Sequence, residues 1–335
     1  MKIIQVGVGK MGRAWLKAFA VTEDVELVGI VEPVAANREW AMAEYGLAPE
    51  RCLDSLDAAL ETLEWDGTVI VTPPPSHRPL AERLLRAGKH VLIEKPLAAT
   101  IDDARDLVAI AAETGQTLMV AQNYRYHDAF STVRALVASG RIGQVRSVKI
   151  EFRKNASTIF SEGDFRYAMK HVLLVDMSIH HFDMIRALLG ANAARVFAQT
   201  WHVPGGNFEF DAAASVLIAM DDGVVVSYTG NWAAYPPETS WNGAWEIIGE
   251  RGRIVWAGGD LKEAEISVQE RGQELERVPL EELAKGGQLG LLEAFAQAVA
   301  AGAQPETAAA DNVESLGIVF AAVESAETGQ VVTLG

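Results

Sequence analysis

The sequence has one cysteine, Cys52, in 335 residues, which excludes an intrachain disulfide framework and any zinc or iron–sulfur site built on several thiolates. It is also poor in positive charge, with 29 Lys and Arg against 45 Asp and Glu and a formal net charge of -16. A surface of that sign repels phosphate backbones and anionic headgroups, so neither nucleic acid nor a membrane is an expected partner. A polyanionic substrate would need a local basic pocket. No apolar run reaches membrane-spanning length, and the chain opens on a strand-like segment, Ile3 to Val6, where a leader would place a long apolar stretch. Together these absences predict a cytoplasmic protein. The length exceeds one ordinary core and suits two domains.

What is present falls into two patterns. Over the first 120 or so residues, short β-branched runs alternate with amphipathic helical stretches, the form of repeated βαβ units on a doubly wound parallel sheet. The runs are Ile3 to Val6, Glu26 to Val31, Thr68 to Thr72, His90 to Ile93 and Thr117 to Ala121, with helices near Met11, Arg38, Pro79 and Asp103. After Tyr124 the regularity stops. A helix from Phe130 to Ser139, a strand from Val145 to Arg153 and a helix from Leu173 to Leu189 are followed by strand-like runs between Ala194 and Val268. Turn signals such as Asp222-Gly223 and Glu250-Arg251-Gly252 separate those runs, which implies an antiparallel sheet. Two helices, Gly290 to Ala300 and Asp311 to Thr328, and a short run Val331 to Leu334 close the chain. The expected division is 1–124, a Rossmann domain, and 125–335, an α/β domain, with the last helices as candidates to pack back on the first.

Gly7-Val8-Gly9-Lys10-Met11-Gly12 places G-x-G-x-x-G directly after a strand and directly before a helix, the context a dinucleotide loop needs. Gly7 makes the tight turn, Gly9 lets the backbone approach a pyrophosphate, and Gly12 permits close packing of helix on strand. Lys10 and Met11 open the helix whose free N–H groups face the phosphates. The second strand ends at Glu32, about twenty residues on, where the fingerprint expects the acid that binds a ribose 2′-hydroxyl. That carboxylate favours NAD over NADP. Arg38, a few residues downstream, is the group that can accept a 2′-phosphate if its loop folds back.

Further segments follow in a fixed order: Thr72-Pro73-Pro74 at a strand end, Glu94-Lys95-Pro96 after the next strand, Asn123-Tyr124-Arg125, Asp176-x-x-x-His180-x-x-Asp183, and the turn Ile248 to Gly252. In this order they make the chain resemble the glucose–fructose oxidoreductase and inositol dehydrogenase family, Gfo/Idh/MocA, over nearly its whole length. The resemblance implies a second α/β domain with a large, mostly antiparallel open sheet whose face makes oligomer contacts, hence a homodimer or homotetramer. It implies hydride transfer between a nicotinamide and a secondary alcohol of a sugar, sugar acid or cyclitol, without a metal. It maps the catalytic group to Lys95, Asp176 and His180. Candidate cofactor contacts are Gly7, Gly9, Lys10, Met11, Gly12, Glu32, Arg38, Thr72, Pro73, Pro74, His77, Glu94, Lys95 and Asn123, with NAD(P) as the cofactor.

The residue types suit that chemistry. Oxidising an alcohol needs a base near neutral pKa and a cation for the developing alkoxide, and His180 and Lys95 are of those types. Asp176, His180 and Asp183, at i, i+4 and i+7, share one face of an α-helix, and His181 points elsewhere. Asp176 either orients His180 or binds a substrate hydroxyl. Candidate substrate contacts are Lys95, Arg125, Tyr167, His171, Asp176, His180 and Trp232, and Lys170 and His171 stand where many family members carry glycines. The alternative for those two is helix capping. For the tryptophans it is core or subunit packing rather than stacking on a sugar face. The same residues also suit two other functions: a cofactor-bound sensor or scaffold without turnover, and a dehydrogenase or reductase of an aromatic substrate.

Overall fold

The β-branched runs of the first pattern become parallel strands because each is buried on both faces. In the computed structural model, which describes residues 1–335, the five runs are β1 (Lys2–Val6), β2 (Glu26–Val31), β4 (Gly67–Ile70), β5 (His90–Ile93) and β6 (Leu118–Val120), and a two-residue strand β3 (Cys52–Leu53) joins them. Their order is β3-β2-β1-β4-β5-β6 and every pairing is parallel. The order reverses between β1 and β4, which places the switch point of the sheet beside the glycine loop. β3 is missing from the sequence reading because two residues carry no alternation. Trp15 and Phe19 of the helix Lys10–Phe19 lie one turn apart and pack with Ile3, Val69, Leu92 and Met119. Leu291, Leu292 and Phe295 of the helix Gly287–Ala301 complete that core.

The second pattern gives a nine-stranded sheet in the order β14-β13-β12-β11-β7-β10-β9-β8-β15. Its strands are β7 (Val145–Arg153), β8 (Ala193–Trp201), β9 (Ala213–Met220), β10 (Val225–Asn231), β11 (Ala244–Gly249), β12 (Gly252–Gly258), β13 (Ala264–Glu270), β14 (Glu276–Val278) and β15 (Val332–Thr333). Only β7 and β10 pair in parallel; the other neighbours are antiparallel. Along β7, Val148, Ile150 and Phe152 are buried and Lys149 between them is exposed, the period of two that a sheet with one covered face requires. On the opposite face Phe197 pairs with Leu217, and both are exposed.

By contacts the chain forms two units, 1–126 with 285–313 and 127–284 with 314–335. No helix is long and apolar enough to cross a membrane.

Candidate active site

The glycine loop is shaped by what its glycines lack. Gly7 has φ +98°, and a Cβ there would come within 2.3 Å of the Val71 carbonyl oxygen. A Cβ at Gly12 would meet the Gly7 carbonyl at 2.4 Å, whereas one at Gly9 would meet nothing within 4 Å. Gly7 and Gly12 therefore serve the fold, and Gly9 leaves open the space a pyrophosphate would fill. Gly9 is the N-cap of Lys10–Phe19 and offers no side-chain cap, so the N–H groups of the first turn suit an anion. Gln5, fully buried, staples the loop by donating to the carbonyls of Gly7 (2.8 Å) and Gly12 (2.9 Å). These features fit a dinucleotide.

Glu32 stands at the end of β2 but is only 5% exposed. Its Oε2 accepts from Val8 N at 2.7 Å and its Oε1 from Val34 N at 2.9 Å, so the acid also braces the loop it follows. Arg38 donates Nη1 to the carbonyls of Glu32 (2.6 Å) and Pro33 (2.9 Å). That use of Arg38 holds the strand end and turns the guanidinium toward the backbone.

The loops after β4 and β5 carry Thr72-Pro73-Pro74 and Glu94-Lys95-Pro96. His77 ties them: Nδ1 lies 2.8 Å from the Pro96 carbonyl and Nε2 2.8 Å from that of Thr72, and the ring is fully buried. Burial pushes its pKa down, against the pull of the carbonyls and with the help of the Lys95 charge. Its ring nitrogens thus face backbone, which makes it a brace for the loops. Glu94 is set from another side, with Trp15 Nε1 donating to its Oε1 at 2.7 Å and Lys95 N to its Oε2 at 3.2 Å. Asn123 begins a short 3₁₀ turn after β6. Arg125, in the same turn, is buried and donates Nη2 to Asp311 at 3.0 Å and Nη1 to the Glu306 carbonyl at 3.2 Å.

In the second unit the helix expected from Leu173 to Leu189 has two parts, a π-helical turn Leu173–Ser178 and an α-helix Ile179–Leu189. Asp176 lies on the first and His180 on the second, so their i, i+4 spacing is not set by uniform α-helical winding. π turns of this kind recur at functional sites. Arg166 Nε donates to Asp176 Oδ2 at 2.6 Å, and its Nη1 reaches Asp164 at 3.3 Å. Burial pulls the guanidinium pKa down, and the charges of Asp176 and Asp164 more than offset this, so Arg166 stays a cation. His180 is 7% exposed. His181 is fully buried between Phe152 and Tyr228, donates Nε2–H to the Trp241 carbonyl at 3.1 Å, and has its pKa lowered by burial to about 4. Asp183 accepts from Ser315 at 2.8 Å and belongs to a buried network with Arg186.

The remaining substrate candidates are occupied within the fold. His171 has φ +49°, the left-handed region where glycine is at ease, and its Nε2 lies 3.1 Å from Glu327. Tyr167 donates to the Phe160 carbonyl at 3.1 Å and packs edge-on against Phe208. Trp232 is 2% exposed, stacked on Phe208 and edge-on to Phe160. Its ring is core. Trp245 and Trp256 stack on one another in the sheet's interior.

Both halves of this geometry match one family. Residues 1–122 match the oxidoreductase family with an NAD-binding Rossmann fold, and residues 130–255 match the GFO/IDH/MocA C-terminal domain. The chain belongs to the Gfo/Idh/MocA family. As a member it is an NAD(P)-dependent oxidoreductase built on a parallel Rossmann sheet and a mostly antiparallel second sheet. Its relatives include an inositol 2-dehydrogenase of Rhizobium meliloti, 28% identical over 97% of this chain and 97% of the relative. A dTDP-3,4-didehydro-2,6-dideoxy-alpha-D-glucose 3-reductase of Streptomyces violaceoruber is 31% identical over 72% of this chain and 68% of its own. An Agrobacterium radiobacter oxidoreductase, solved with NAD+, L-tartaric acid and magnesium, shares the fold with a TM-score of 0.89 at 21% identity, over 99% of this chain and 98% of that one.

Gln5, Trp15 and Arg166 are absent from the sequence-based site. Gln5 and Trp15 sit inside an apolar strand and an amphipathic helix, where a lone polar atom gives no periodic signal. Arg166 lies ten residues before Asp176, and only the fold brings the charges together.

Proposed function

We propose that this Gfo/Idh/MocA member transfers a hydride between NAD and a secondary alcohol or ketone of a sugar, sugar acid or cyclitol. The observation that carries the reading is the glycine loop, open at Gly9 alone, in a chain whose relatives are named as dehydrogenases and reductases of such compounds. Bound there, the nicotinamide supplies the hydride acceptor or donor. The helix N-terminus at Gly9 holds the pyrophosphate. Glu32 receives the ribose hydroxyls and repels a 2′-phosphate, and the engagement of Arg38 with two carbonyls supports NAD over NADP. His180 removes the hydroxyl proton, a role worth roughly 10²–10⁴ in rate. Lys95 stabilises the developing alkoxide. Asp176, kept beside the Arg166 cation, offers a fixed negative charge for the protonated state of His180 or for a substrate hydroxyl. The exposed Phe197 and Leu217 on the second sheet support a homodimer or homotetramer.

The test is a panel of sugars, sugar acids, inositols and aromatic diols incubated with NAD and with NADP, following absorbance of the reduced nicotinamide. Turnover of a polyol with NAD is the expected result. Binding of NAD with no turnover of any compound would replace this reading with a sensor.

A further inference from the structure

The turn that carries Asp176 is held by groups outside the motif. Ser178 is fully buried, with its Oγ 3.0 Å from the Leu173 carbonyl and 2.9 Å from Tyr228 Oη. Ser178 has one hydroxyl proton and a carbonyl only accepts, so Ser178 donates to Leu173 and accepts from Tyr228. Tyr228, on β10, is fully buried, and burial pushes its phenol well above the usual range, so it keeps the proton it donates. Gly230, on the same strand, makes the room. A Cβ there would come within 2.6 Å of Tyr228 Oη and 2.8 Å of Leu173 Cδ2.

Leu173 and Ser178 are the first and last residues of the π turn. A π turn joins carbonyl i to N–H i+5, a weaker arrangement than the α-helical i+4 bond and rarely kept without a reason. The Ser178 hydroxyl adds a second tie across the same five-residue span. Without it the turn is free to rewind as an α-helix, which rotates Asp176 about the axis relative to His180.

We propose that Ser178 and Tyr228 are positioning residues, whose hydroxyl chain to Leu173 locks the π turn and so sets Asp176 relative to His180. This rests on the reading of His180 as the base.

The test uses Tyr228→Phe, Ser178→Ala and the double variant in the NAD-loaded protein. First, the His180 imidazole is titrated by NMR without substrate. Its midpoint is expected to move by about half a pH unit or more in each single variant, and no further in the double variant, because one chain is cut at two points. The dissociation constant of NAD should stay within about twofold. Second, with a substrate, kcat should fall about tenfold or more while KM for NAD is unchanged, a split that loosened packing at the glycine loop would not give. If Ser178→Ala does not fold, Tyr228→Phe, which keeps the ring, decides alone. An unmoved His180 midpoint in Tyr228→Phe overturns the proposal. Lack of turnover in the wild type, with the midpoint shift intact, overturns the hydride-transfer reading and leaves the positioning role standing.

Discussion

The glycine loop after β1 and the turn that carries Asp176 are both sites of local irregularity, made by opposite means. In the loop, side chains are missing: the backbone packs on the Val71 carbonyl at Gly7, closes on itself at Gly12 and stays open at Gly9. In the turn, side chains do the holding, through Arg166 on Asp176 and Tyr228 and Ser178 on Leu173. A site made by omission leaves a mark in the sequence, because only glycine permits it. A site made by distant partners leaves its mark only in the fold.

The strongest way to break the comparison is His180→Ala. Loss of the proposed general base should lower kcat by roughly 10² to 10⁴ while the affinity for NAD, which the proposal assigns to the loop, stays nearly intact. Steady-state kinetics beside a cofactor titration checks both halves; a large loss of NAD affinity would mean that the turn and the loop are not separate in function.

Next in size is a pH effect from the neighbouring histidine. His181 titrates near 6.5 unfolded and about 4 in the fold, so below 6.5 the unfolded chain binds the extra proton and stability falls as pH drops toward about 4. The loss amounts to at most about 3 kcal/mol. Urea unfolding across that window should show this slope in the wild type and a shallower one in His181→Gln. His77 and His127, whose pKa values burial also lowers, contribute with the same sign in both proteins.

Gly9→Val separates the loop's two tasks. A Cβ at Gly9 would meet no protein atom within 4 Å, so the melting temperature should hold, yet the dissociation constant of NAD should rise by about tenfold or more, some 1.4 kcal/mol. Gly7→Ala, by contrast, should lower both stability and affinity. Equal NAD binding by Gly9→Val would remove the pyrophosphate from the loop.

The smallest effect is expected at Glu32. Glu32→Gln keeps one acceptor for the N–H groups of Val8 and Val34 and removes the charge, so the preference for NAD over NADP in kcat/KM should narrow by up to about tenfold. An unchanged ratio would confine Glu32 to bracing the loop.

The same contrast explains what could be read beforehand. The parallel strands and their helices were legible because period and burial agree, as in β1, β2 and β5, and the antiparallel strands because turns such as Asp222-Gly223 punctuate them. The two-residue β3 was not, since pairing alone defines it. The π turn was hidden inside a helical pattern that fits Leu173 to Leu189 equally well. Lys95, Asp176 and His180 came from motif order. Their supports did not, because Trp15 reaches Glu94 across 79 residues and Ser178 reaches Tyr228 across 50. His171 shows the limit in the other direction: its departure from the glycine-rich form points equally to a substrate contact or a helix cap, and the fold gives it a left-handed turn and a partner in Glu327.

The central claim is that a hydride passes directly between substrate carbon and nicotinamide. A polyol found active in the screen, deuterated at the carbon that is oxidised, tests it most directly. The account predicts that the reduced nicotinamide isolated after turnover carries the deuterium; deuterium lost to water, with an unlabelled cofactor, would contradict it.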